Sequence, residues 1–181
     1  ICYNRAHLSP RIDRNQSVLN RHIDVTPGSA VFGGPRTDIF GNEVNYFTVQ
    51  EPHSSMEVTL HAQVEVLPVE YLDLNLSPKW ETALVASRET KDINAYQFTF
   101  DSKFVAASPV LSAYALPSFP AGRPFLAAVS DLTARIHRDF TYDPAATTVS
   151  TPLDEVMQNR RGVCQDFAHL QIGCLRSLGV P

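Results

Sequence analysis

Residues 160–181 read RRGVCQDFAHLQIGCLRSLGVP. Within them Phe167, Leu170, Ile172, Cys174, Leu175 and Leu178 fall on more than one side of a helical period, which predicts a helix from about Cys164 to Leu178 that is buried on several sides. Gly179 and Pro181 close it. The helix thus begins at a cysteine, where the first N–H groups lack intrahelical partners and the dipole is positive, so the thiolate form is favoured. Arg160 and Arg161 are near in sequence and could add to that effect, and the Cys164 N–H could donate to an oxyanion. Asp166 lies two residues on, rotated by roughly 200°, so it is expected to serve the helix end or a neighbouring backbone group.

A free cysteine is also among the most buried residue types and commonly packs as a small hydrophobe, so these local features leave Cys164 open between nucleophile and packing. Cys174, in the middle of the apolar run, is expected in the core, and Cys2 has no assigned role. Cys164, His169 and Cys174 form C-x4-H-x4-C, but steps of about 140° spread them around the axis, so no metal site is expected. His169 reads as polar packing, and His53, His61 and His137 have plain places in a loop, on an exposed strand face and on a helix. There is no Ser-centred triad motif, Gly-rich phosphate loop or HExxH, and no cofactor is expected.

Two helices precede this one. Phe125, Val129, Leu132, Ile136 and Phe140 make one amphipathic stripe, ended by Tyr142-Asp143-Pro144. In TPLDEVMQNRRG, residues 151–162, Thr151 reads as N-cap, Pro152 as the first helical residue, Asp154 and Glu155 as partners of the positive end, and Gly162 as the stop.

The front half reads as β. In MEVTLHAQVEV, residues 56–66, apolar side chains alternate strictly with polar ones, which predicts a strand with one face inward. EVNYFTVQ, residues 43–50, is a second strand, preceded by the turn DIFGN with Gly41 at positive φ. RHIDVT, residues 21–26, is expected to pair with it through that turn, and NAYQFTF, residues 94–100, to form a later strand. EPHSS is a loop. Prolines at 68, 78, 109 and 117 mark connections, and the boundary between modules is placed near Pro117 to Pro124. The fold class is therefore α+β: a β-rich module over 1–118, an antiparallel sheet or sandwich, then a helical module over 119–181.

With 181 residues, 44% of them apolar and 19% charged, the chain can bury one good core or two small ones. A net charge of −4 without a basic run beyond Arg160-Arg161 makes nucleic acid a poor partner. The longest apolar stretch, residues 104–116, holds 13 residues and a proline, short of the roughly 20 that a membrane span needs. Three scattered cysteines point to a reducing, cytoplasmic compartment.

The segment from Tyr142 to Pro181, with GVCQDFAHL at its centre, resembles the first half of the transglutaminase-like core of bacterial proteins described as cysteine proteases. LSPR, DIFGN, EPHSSMEVTLHAQVEV and PKWE resemble the β-rich N-terminal domain that precedes that core. The resemblance implies a papain-like arrangement in which Cys164 attacks an amide carbonyl of a peptide or protein, a histidine handles protons and an aspartate orients it. Acyl transfer to an amine or hydrolysis would follow. In the family the His and Asp lie on strands after the LGVP segment, and this sequence stops at Pro181, so the expectation is a portion of a longer enzyme, inactive by itself. Gln165 is expected to bind substrate or backbone, and Tyr142 to line the cleft near the oxyanion, while Trp80 packs between modules. The competing reading is a non-catalytic scaffold that recognises a partner through the β module. A redox thiol is disfavoured because Cys174 lies about 15 Å along the helix, beyond disulfide reach.

Overall fold

A computed structural model describes residues 1–68, 72–89 and 93–181. Two compact units, Ile1–Tyr71 and Leu72–Pro181, divide the chain. This division falls well before the expected one, because the described residues between 72 and 118 are largely helical and pack with the later helices.

In the first unit β1 (Cys2–Ala6), β2 (Gln16–Thr26), β3 (Ala30–Thr37), β4 (Glu43–Val49) and β5 (Glu57–Val66) form two antiparallel sheets, ordered β1-β4-β3 and β2-β5. The expected strands at 43–50 and 56–66 are present, but RHIDVT belongs to β2 and pairs with β5, with His22 opposite His61 and Ile23 opposite Leu60. The DIFGN turn instead joins β3 to β4. Asp38 Oδ1 accepts the N–H groups of Phe40 and Asn42 at 2.9 Å each, and Gly41 has φ +79° as expected of its turn. β3 escapes a reading by pattern because AVFGGPRT carries Gly33, Gly34 and Pro35, where the register with β4 shifts and Gly34 takes φ +83°. Val44, Asn45, Phe47 and Val49 on β4 are the buried residues among those described in this unit. On β5 only Val58, Thr59 and Leu60 are half-buried, and Val64 and Val66 stand exposed, so the alternation marks a strand without sealing its whole apolar face.

The second unit begins with α1 (Trp80–Glu89), α2 (Ile93–Tyr96) and a 3-10 turn at Gln97–Thr99. NAYQFTF is therefore helical rather than extended. Its Phe98 carbonyl accepts from the buried Arg176 guanidinium, which also donates to Ser102 Oγ and the Val105 carbonyl just beyond it. α3 (Pro109–Ala115), α4 (Phe125–Asp139), β6 (Thr141–Tyr142), α5 (Leu153–Asn159), β7 (Arg161–Gly162) and α6 (Cys164–Ser177) follow. The stripe read on α4 lies inward, with Leu132, Ile136 and Phe140 buried and Phe125 and Val129 half-buried, and Ala128 beside it is fully buried. With Leu111, Ala115, Val156, Leu170 and Cys174 they make the core of the helical unit. Each such aliphatic side chain contributes about 1.5–3 kcal/mol by leaving water. Trp80 packs inside this unit, edge-on to Phe119 with ring centroids 5.7 Å apart and its indole N–H on the Pro120 carbonyl, rather than between modules. Among the described residues no helix is long and apolar enough to cross a membrane.

Candidate active site

The segment that delivers Cys164 is built from its two sides. On one, α5 starts from Pro152, whose carbonyl accepts the N–H of Val156, while Thr151 Oγ1 accepts the N–H of Thr148 and so does not cap the helix as expected. It ends at Arg160, the residue with left-handed backbone (φ 53°, ψ 33°). The predicted stop at Gly162 is thus displaced by two residues. Side-chain packing holds Arg160 there: its guanidinium lies 4.7 Å from the Phe140 ring centroid and 5.1 Å from that of Tyr114.

On the other side, β6 and β7 pair in parallel, Thr141 beside Arg161 and Tyr142 beside Gly162. The Thr141 N–H donates to the Arg160 carbonyl at 2.8 Å, and the Asp143 N–H to the Gly162 carbonyl at 2.9 Å. Arg161 meets the Asp143 carboxylate at 3.6 Å. Both arginines expected to help the thiolate are therefore engaged elsewhere, Arg160 with rings and Arg161 with a carboxylate.

The helix start is fixed by Asp166. Its carboxylate, 3% exposed, accepts the Val163 N–H at 2.8 Å and the Thr147 hydroxyl at 2.6 Å through the same oxygen. This is the backbone-serving role read from the sequence, and it requires Gly162: a Cβ there would fall 2.6 Å from that oxygen. The first bond within the helix runs from the Phe167 N–H to the Val163 carbonyl, which leaves the N–H groups of Cys164 and Gln165 without carbonyl partners one turn back.

Cys164 is thus the first residue of α6, and it is exposed. Among the described residues no side chain hydrogen-bonds its sulfur. Gln165 turns its amide toward the Val149 carbonyl at 3.4 Å. Tyr142 lies beside Gly162, two residues before Cys164, and is 63% exposed. It reaches the rim of a cavity of about 280 Å³ between α4 and α6, lined also by Ile136, Phe140 and Phe167. His169 stacks on Phe104 with centroids 6.0 Å apart and planes 10° from parallel. Cys174 is fully buried, and that burial pushes its thiol up to about 12.

Thr147 and Phe104 escaped the sequence reading. Thr147 is one hydroxyl in the run Thr147-Thr148, and nothing local separates it from its neighbour; the only hint was the acidic residue at the third helical position seeking donors.

Residues 1–65 match the model of the bacterial transglutaminase-like N-terminal region, and residues 120–181 that of the transglutaminase-like superfamily. Uncharacterized proteins of Mycobacterium bovis and Mycobacterium tuberculosis are 36% identical over 181 residues, covering 98% of this chain and 57% of their own length. One from Mycobacterium leprae is 26% identical over 180 residues, covering 99% and 61%. A solved structure of a "putative cysteine protease" from Cytophaga hutchinsonii superposes with a TM-score of 0.75 at 20% identity, covering 99% of this chain and 58% of that one. The chain spans less than two thirds of the length of these relatives.

Proposed function

We propose, from the match of residues 1–65 to the bacterial transglutaminase-like N-terminal region and of residues 120–181 to the transglutaminase-like superfamily, that Cys164 is the nucleophile of a cysteine acyl-transfer or amide-hydrolysis reaction on a peptide or protein. The observation that carries the reading is the exposure of Cys164 at the first turn of a helix that buries Leu170, Gly173 and Cys174 further along. The thiolate attacks the amide carbonyl, forming the C–S bond as the C=O electrons move onto oxygen. The N–H groups of Cys164 and Gln165 are placed to receive that oxyanion. Collapse of the tetrahedral species breaks the C–N bond, and the amine leaves with a proton from a general acid. Water or a second amine then opens the thioester and returns the proton. In a papain-like arrangement a histidine handles the proton and an aspartate orients it. Gln165 and Tyr142 border the acyl group, and a reducing, cytoplasmic setting suits a free thiol.

Incubation of the full-length protein with a peptide library, followed by intact-mass analysis after acid quench, is expected to reveal an acyl adduct on Cys164 that hydroxylamine removes. An adduct on another residue, or amide turnover without any adduct in the wild type and undiminished in Cys164→Ala, overturns the assignment and leaves the scaffold reading.

A further inference from the structure

Two irregular segments run along one flank of α6. Residues 102–108 are tied to its far end, where the Ser108 N–H donates to Ser177 Oγ at 3.0 Å and Arg176 holds Ser102 and Val105. Residues 147–154 are tied to its near end, through Thr147 on Asp166 and Gln165 on Val149, the two residues that follow Cys164. A cavity of about 520 Å³ lies between the two segments. Its floor is apolar, made of the buried Val105, Leu111 and Leu153. All three border Gly173, where an added Cβ would fall 2.8 Å from Leu111 and 3.4 Å from each of the others. Small exposed residues, Ala106 and Ser150 among them, form opposite walls. The two charges at the lining, Lys103 and Asp154, have opposite sign, so the groove offers no net field that would select a phosphate or a free carboxylate.

We infer that this groove is a subsite for an aliphatic side chain of an extended peptide, a role that rests on Cys164 being the nucleophile. The apolar floor accommodates the side chain. The distance fits. Nine residues separate Cys164 from Gly173, about 13.5 Å at a helical rise of 1.5 Å, which an extended peptide at about 3.3 Å per residue covers in roughly four residues. The groove therefore reads a side chain three to five positions from the amide that reacts.

The test is a proteome-derived peptide library incubated with the full-length protein, with reacted amides identified by mass spectrometry and aligned. Leu, Ile, Val and Met are expected to be enriched at one position three to five residues from the reacted amide, by about tenfold in relative rate. Ala106→Trp and Ser150→Trp, filling the groove from opposite walls, are each expected to bring that preference close to one. Unchanged alkylation of Cys164 reports that a variant is still folded at the site. A flat profile in the wild type, or a preference that survives both tryptophans, overturns the groove alone. Turnover that persists in Cys164→Ala, or a library in which no amide reacts, overturns the groove together with the nucleophile.

Discussion

One helix, α6, carries two thiols in opposite circumstances. Cys164 opens it, exposed, beside N–H groups without helical partners; Cys174, ten residues on, is sealed among aliphatic side chains. The same functional group is thus a candidate nucleophile at one end and hydrocarbon filler in the middle. Burial decides, since the cost of taking a Cys174 thiolate from water into the core outweighs the favourable charge of Arg135, whereas Cys164 stays in solvent.

The comparison breaks most readily on activity. Cys164→Ala in the full-length protein is expected to lower kcat/KM for amide turnover by about 10⁴-fold or more, as removal of a covalent nucleophile does; Cys174→Ala is expected to stay within about tenfold of the wild type. Equal losses would mean that the two thiols are not distinguished by chemistry.

Next in size is accessibility. Iodoacetamide at pH 8 is expected to label Cys164 at least about 100-fold faster than Cys174 in the native protein, with the ratio falling toward one in denaturant. Comparable native rates would contradict the burial of Cys174.

Stability should reverse the order of importance. Cys174→Ser puts a hydroxyl into an apolar site and is expected to cost about 1–3 kcal/mol in chemical denaturation, while Cys164→Ser, at an exposed helix start, is expected to change stability by less than about 0.5 kcal/mol.

A further contrast is an alkaline one. The Cys174 thiol stands near 12 in the folded chain against an ordinary value of 9.0, so above pH 9 the unfolded chain releases a proton that the folded one keeps. Stability is then fully present below pH 9 and falls as pH rises toward 12, by at most about 1.4 kcal/mol per pH unit for one group. Cys174→Ala is expected to remove that slope in thermal melts between pH 9 and 10.5, and Cys164→Ala to leave it. Tyr114, raised to about 12 by burial and by its bond to Asp139, contributes the same sign above pH 10 in all variants.

Much of this was legible in the residues. The α4 stripe, the β5 alternation, the turn at Gly41 and the start of α6 at Cys164 each follow from signals within a dozen residues of each other. The misreadings have one physical source. RHIDVT was assigned to the wrong partner because alternation marks a strand but carries no information about which distant strand it meets. NAYQFTF reads as extended because aromatic and β-branched residues suit strands, yet it is helical, with its Phe98 carbonyl held by Arg176, some 78 positions on. Thr151 and Gly162 looked like cap and stop, and the fold used Pro152 and Arg160.

The sequence by itself determined that a helix would begin at Cys164, because periodicity and termini are local properties of the chain, while the tertiary structure decided that this end faces solvent. Tertiary structure alone decided that Arg160 takes the left-handed turn against two aromatic rings, that Thr147 and Val163 converge on one buried oxygen of Asp166, and that the groove forms between two stapled loops. Each of these joins residues from separate elements, and their free energies are realised only when packing brings those elements together.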